Sequence, residues 1–123
     1  MSVIKNFSEV LALYRRHGWR LERVLMRAET RDALRQTAAG GDDAETFEGV
    51  AVRDSVFDAM WFRRAAQGGR EAWELRLVGE PPFALFELFE ADEEEEDRED
   101  VRREMEARLA ERVGATGGDD GGG

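Results

Sequence analysis

One stretch constrains this chain more than any other, residues 55–90, which read SVFDAMWFRRAAQGGREAWELRLVGEPPFALFELFE. Two of the three tryptophans and five of the seven phenylalanines lie in it. Apolar and aromatic runs that are separated by turn residues are typical of β-strands. We therefore predict three consecutive strands, at about 56–64, 71–79 and 83–90.

Turn residues separate the three predicted strands. Gly68 and Gly69 lie in the first gap and can adopt the positive φ that a tight hairpin needs. The second gap reads GEPP at 79–82, and its prolines cannot donate hydrogen bonds to a strand ladder. Connections this short favour an antiparallel meander.

The alternation of residues predicts which side of the sheet is buried. Trp73, Leu75 and Leu77 alternate with charged residues, as in a half-buried strand. The other two strands carry apolar residues on both faces. Either both faces are covered within the chain, or one face is an apolar surface for a partner. Six bulky side chains are the candidate interaction or pocket residues: Met60, Trp61, Phe62, Trp73, Phe86 and Phe89.

The chain before residue 55 predicts two short helices and one strand. Ile4, Phe7, Leu11 and Tyr14 recur at helical spacing, and Gly18 is a residue type that ends helices. Ser8 and Thr30 are the predicted N-caps. The predicted segments are a helix at 8–17, a strand at 19–27 that suits an edge or half-exposed position, a helix at 29–37, a loop at 38–46 and a brief strand or extended segment at 47–53.

The chain after residue 91 predicts a long helix at 92–113, with Asp92 as its cap. Its first half is acidic and its second half is rich in arginine, which suits the helix dipole. We expect the first two turns, which lack apolar residues, to project into water or fray. A narrow apolar stripe follows every fourth residue, at Val101, Met105, Leu109 and Val113. Residues 114–123 predict a flexible Gly/Asp tail.

Together these elements predict a single α+β domain over residues 1–113. The expected architecture is an antiparallel β-meander of about four strands with helices packed on one face, in the order α-β-α-β-β-β-α. We expect the last helix to cover the face of Trp73, Leu75 and Leu77. The other face, which carries some of Met60, Phe62 and Phe89, is then left for self-association.

Composition bounds the chemistry of the chain. Its 28 acidic and 18 basic residues give a net charge of −10, which disfavours nucleic acid and anionic membranes as partners. The absence of cysteine excludes disulfides, thiolate catalysis and cysteine metal sites. No apolar run has the roughly 20 residues of a membrane helix, and the N-terminus does not resemble a signal peptide. We therefore expect a cytoplasmic protein.

No motif assigns a catalytic residue, a cofactor or a metal. His17 is the single histidine and sits at a predicted helix end, which indicates a structural role. Neither the acidic run 92–97 nor the Gly-Gly-Asp-Asp segment of the loop has the ligand spacing of a calcium site. Asp58, Glu74 and Glu87 all lie on predicted strands, so a carboxylate pair is the remaining catalytic alternative.

The leading functional hypothesis is a small non-catalytic protein that acts through protein–protein contacts, most simply as a homodimer. The alternative is a small-molecule-binding domain or minor enzyme with an aromatic pocket on the sheet. Trp61, Trp73 and Phe86 would form that pocket, and it would need a cavity of roughly 300 Å³ or more. A third hypothesis is that residues 92–100 bind basic proteins.

Overall fold

The computed structural model describes residues 3–37 and 45–122, and within these ranges the protein is α+β, with three helices and a six-stranded mixed sheet. The helices are α1 (Val3–Arg16), α2 (Ala28–Gln36) and α3 (Glu95–Gly122). The strands are β1 (Arg20–Met26), β2 (Thr46–Phe47), β3 (Val50–Asp54), β4 (Ala59–Ala65), β5 (Glu71–Leu77) and β6 (Phe83–Phe89).

The strand order is β2-β3-β1-β4-β5-β6. The predicted meander is confirmed, because β4, β5 and β6 pair antiparallel in sequence order, with Trp61, Leu75 and Leu85 in register. The turn between β4 and β5 lies at Gln67–Gly69, and both of its glycines have positive φ, as predicted.

The predicted four-stranded antiparallel sheet is wrong in two respects. The 47–53 segment forms a hairpin of two strands, whose turn is Glu48-Gly49 with φ values of 52° and 81°. In addition, β3 runs parallel to β1, because α2 lies in the connection between them and carries the chain back to the same end of the sheet. As a result, β1 is an interior strand and not an edge strand.

The expectation that the helices pack on one face of the sheet is wrong. The helices α1 and α2 cover one face, called the α1 face below, and α3 covers the other, called the α3 face. The physical reason lies in the interior strands β1 and β4, which place bulky apolar side chains on both faces and need cover on both. The buried residues of the α1 face are Ile4, Phe7, Leu11, Tyr14, Leu21, Val24, Met26, Leu34, Phe47, Val52, Met60, Phe62 and Val78. Those of the α3 face are Leu25, Phe57, Ala59, Trp61, Trp73, Leu75, Phe89, Met105 and Leu109.

The helix α1 has the predicted buried stripe and ends before Gly18, whose φ is +84°. It begins at Val3, however, so Ser8 lies inside the helix and is not its N-cap. Thr30 is likewise inside α2, where its hydroxyl donates to the carboxylate of Asp58. That carboxylate also accepts the backbone N–H of Arg27, so a residue from the start of the meander caps α2.

The apolar stripe of α3 is confirmed, and it packs on the face of Trp73, Leu75 and Leu77, as predicted. The helix begins at Glu95, so the prediction that Asp92 is its N-cap is wrong. It continues beyond residue 113 to Gly122, which extends the hydrogen-bonded helix through glycine residues of low helix propensity. The flexibility of residues 114–123 stays a prediction.

Residues 94–97 at the start of α3 are exposed, as expected, but the helix is anchored to the sheet from Arg98 onward. The guanidinium of Arg102 lies 4.3 Å from the centre of the Trp73 ring, and that of Arg98 lies 5.7 Å from the centre of Phe89. Their long aliphatic stems cover apolar surface in place of apolar side chains.

Candidate functional site

The structure buries five of the six candidate residues that the sequence analysis selected. Met60 and Phe62 are fully buried under α1, where Phe62 stacks on Tyr14 at a centroid distance of 4.1 Å. Trp61, Trp73 and Phe89 are buried on the α3 face. These five residues belong to the core, so the face that was expected to be open is covered within the chain.

The three rings that were proposed to form an aromatic pocket do not lie together. Trp61 and Trp73 meet edge to face on the α3 face, with their centroids 5.9 Å apart. Phe86 pairs in register with Glu74, whose carboxylate accepts a hydrogen bond from the Tyr14 hydroxyl of α1. Phe86 therefore lies on the α1 face, and the sheet separates it from the two tryptophans.

Phe86 is the exception among the six, because 56% of its surface is exposed. It is the middle residue of β6, the last strand of the sheet. Ala84 beside it is exposed and Leu88 is half-buried, and alternation places both on the same face as Phe86. We call Ala84, Phe86 and Leu88 the β6 shelf.

The two edges of the sheet differ in how they are protected. In the described part of the chain, the outer edges are β2 and β6, and β2 has only two residues. Short edge strands and charged side chains are common protection against unwanted strand pairing. β6 has seven residues and a single charge, that of Glu87. Its outer edge is therefore long and has little charge to protect it, and it is suited to pairing with another chain.

The α3 face holds β6 in place. Phe83, Leu85 and Phe89 pack into the apolar cluster under α3. The guanidinium of Arg112 lies 4.0 Å from the centre of the Phe83 ring. Because one side of the strand is packed in this way, the β6 shelf is presented on a rigid element and needs little ordering when it binds.

Polar groups border the β6 shelf on the side of α1. Burial raises the pKa of Tyr14 to about 12, and its hydrogen bond to the Glu74 carboxylate acts in the same direction. The Arg76 guanidinium lies 5.7 Å from the centre of the Tyr14 ring. A groove of about 220 Å³ lies among these residues and extends to the exposed His17.

Nδ1 of His17 is 3.0 Å from the carbonyl oxygen of Leu13, which agrees with a structural role at the helix end.

A cluster of charged groups fastens α3 to the sheet. The Glu99 carboxylate accepts hydrogen bonds from Arg23 of β1 at 2.8 and 3.2 Å, and from Nε of Arg102 at 3.0 Å. The hydrogen bonds from Arg23 hold the pKa of Glu99 below its ordinary value, against the opposing effect of burial. The Arg102 side chain is only 1% exposed and also pairs with Glu95. The cluster explains why a helix with so narrow an apolar stripe stays on the sheet.

The three carboxylates that were predicted to lie on strands do not form a pair, and Asp58 lies just before β4. Asp58 is buried and accepts hydrogen bonds from α2 and from Nε of Arg27 at 3.3 Å. Glu74 bonds to Tyr14 on the α1 face, whereas Glu87 lies opposite Trp73 and so points to the α3 face. Among the residues that the structure describes, no three His, Asp or Glu side chains are grouped to hold a metal ion. Asp42 and Asp43 lie outside those residues.

An open cleft of about 400 Å³, which the sequence did not predict, lies at one end of the sheet. It lies between the segment before β4, the turn after β5 and α3. Its walls are mostly apolar, and its four charged residues balance, with two arginines against two acids. The lining residues are Arg27, Val56, Phe57, Asp58, Leu77, Val78, Gly79, Glu80, Pro81, Arg112 and Val113.

Comparison of the chain with protein-family models, with curated proteins and with solved structures finds no match. Within residues 3–37 and 45–122, no helix combines the length and the apolarity that a membrane crossing requires.

Proposed function

We propose that this protein is a small non-catalytic protein that acts through protein–protein contacts and self-associates as a homodimer through the β6 shelf and the outer edge of β6. The observation that supports the proposal is the seven-residue edge strand, which has a single charge and an exposed phenylalanine at its centre. The cytoplasmic location expected from the sequence stays a prediction.

The exposed ring is large enough to matter energetically. An exposure of 56% leaves roughly 100 Å² of the Phe86 side chain in water. At about 25 cal/mol per Å², complete burial of this area on both protomers would contribute at most about 5 kcal/mol. Association also loses translational and rotational freedom, and the hydrogen bonds of a new strand pair would have to offset part of that loss. We expect a dissociation constant in the micromolar range, which corresponds to about −8 kcal/mol.

Sedimentation velocity over a micromolar concentration series tests the proposal. Wild-type protein should shift from monomer to dimer, and Phe86→Glu should remain a monomer, because it places a carboxylate beside its own copy across the edge. Val56→Glu is the matched control, since Val56 is an apolar residue of 72% exposure that lies before β4 and not on the β6 shelf. A monomeric wild type, or equal dimerisation of Phe86→Glu, would contradict the proposal.

The open cleft favours a second candidate function, the binding of a small molecule. Its volume is in the range of ligand sites, and its balanced charges give no net attraction to an ion of either sign. The candidate ligand is therefore a neutral or zwitterionic molecule with an apolar body.

A thermal-shift screen of neutral and zwitterionic metabolites tests this second candidate. A true ligand should raise the melting temperature of the wild type but not of Val56→Trp, whose indole would fill the mouth of the cleft. Equal shifts in both proteins, or no shift with any compound, would remove the candidate.

The acidic segment 92–100 stays a prediction as a contact for basic proteins. Part of its charge is used within the chain, because Glu95 and Glu99 both pair with Arg102.

A further inference from the structure

We infer that the two protomers join by antiparallel pairing of β6 with β6 of a second copy, about a two-fold axis at Phe86. The inference rests on the proposed self-association and specifies its register and symmetry. The two sheets would then form one continuous sheet, and the two β6 shelves would lie side by side on the same face.

The length of the strand favours this register. In antiparallel pairing about a two-fold axis, residues that are equally far from the axis in opposite directions lie opposite each other. Phe86 is the midpoint of Phe83–Phe89, so an axis at Phe86 pairs all seven strand residues. An axis at Leu85 or at Glu87 pairs only five of the seven.

Charge excludes one of the neighbouring registers. Glu87 is the single charged residue of the strand, and an axis at that residue would set two carboxylates directly opposite each other. Like charges in that position destabilise a strand pair. With the axis at Phe86, Glu87 faces Leu85 of the second copy instead.

The same register matches apolar residues across the new contact. The two Phe86 rings become direct neighbours, and Ala84 lies opposite Leu88 of the second copy. The helices cover the faces of the sheet: α1 packs over β1, and α3 packs over β5 and β6 on the opposite face. In the described part of the chain, no strand pairs with the outer edge of β6. Two copies can therefore approach edge to edge.

Disulfide cross-linking tests the register, because the chain has no cysteine of its own. Residues directly opposite in antiparallel strands have Cα atoms about 4.5–5.5 Å apart, within the range that a disulfide spans. Ala84→Cys mixed with Leu88→Cys should form a mixed disulfide and retains Phe86. Phe86→Cys should also cross-link to itself. Val56→Cys, which is exposed but off the β6 shelf, is the control.

We expect the mixture of Ala84→Cys and Leu88→Cys to cross-link at least about tenfold faster than Val56→Cys, since the paired strands hold the thiols at a high effective concentration. Faster cross-linking of Ala84→Cys with Phe86→Cys would place the axis at Leu85 and overturn the register. A wild type that sediments as a dimer while every β6 pair cross-links no faster than Val56→Cys would overturn strand pairing but not self-association. A wild type that sediments as a monomer would overturn both.

Discussion

Arg102 offers the sharpest test of how α3 is held on the sheet. It is the largest charged side chain in the core, with 1% of its side chain exposed. Its guanidinium bonds to Glu99 and stacks on Trp73, so Arg102→Ala removes an ion pair, a cation–π contact and the packing of a long aliphatic stem.

The expected loss follows from the contacts that remain. Removing one partner of a buried ion pair costs about 3–5 kcal/mol when the other charge is left uncompensated. Glu99 keeps two hydrogen bonds from Arg23, so its charge stays compensated and the loss from the ion pair alone lies below that range. With the stacking on Trp73 included, we expect a loss of about 3 kcal/mol in the free energy of unfolding. For a domain of this size, that loss lowers the melting temperature by roughly 10 °C.

Urea unfolding, followed by tryptophan fluorescence at one fixed protein concentration, measures this loss. The concentration must be fixed because self-association would itself add stability. Arg103→Ala is the control, since Arg103 and its partner Asp100 are both exposed, and it should change stability by less than about 0.5 kcal/mol. An Arg102→Ala protein within about 1 kcal/mol of the wild type, or an equal loss in both variants, would refute the role of the cluster.

Three further predictions follow from buried polar groups. Because the pKa of Glu99 is lowered in the fold, its carboxylate stabilises the protein at pH values above the ordinary glutamate pKa of about 4.3. This stability is lost as the pH falls through the lowered pKa. Glu99→Gln should therefore show a shallower loss of stability in acid when urea unfolding is compared at several pH values. Tyr14 is the single tyrosine of the chain. Its raised pKa contributes stability at pH values below about 10, and this contribution is lost as the pH rises toward 12. Ultraviolet titration should place the tyrosine near 12 in the wild type and lower in Glu74→Gln; an unchanged value would contradict the assigned contact. Asp58→Ala should cost about 2–4 kcal/mol, because it leaves buried donors of α2 without an acceptor. Asp54 is exposed, so Asp54→Ala should lower the free energy of unfolding by less than Asp58→Ala in the same assay. An equal loss in both variants would count against the role of Asp58 as a cap of α2.

The meander was predictable because its signals are local. Gly68 and Gly69 mark one turn, and the alternation around Leu75 identifies the buried face of β5 without knowledge of any other element. The stripe of Met105 and Leu109 is equally local, so the face that α3 covers could be predicted from spacing.

The rest of the architecture depends on contacts between distant segments. The Glu48-Gly49 turn divides a short segment into two strands, and its signal is weaker than that of a Gly-Gly or Asn-Gly pair. The parallel pairing of Val24 with Val52 depends on the path of α2 between them, and periodicity carries no information on that path.

The candidate site was predicted only in part, for the same reason. Met60, Phe62 and Phe86 are equivalent in a pattern of apolar residues, and the packing of the first helix buries Met60 and Phe62 but not Phe86. One local signal could have singled out Phe86: it lies on the strand that ends the meander, and the last strand of a meander lies at an edge unless another segment covers it.

Hydrogen exchange as a function of protein concentration tests most directly whether the edge of β6 joins two copies. The exchange of residues 83–89 should slow as the concentration rises through the micromolar range, while that of residues 46–47 at the opposite edge stays constant. If the amides of β6 exchange at the same rate at every concentration, the edge is not paired and the account of this surface is wrong.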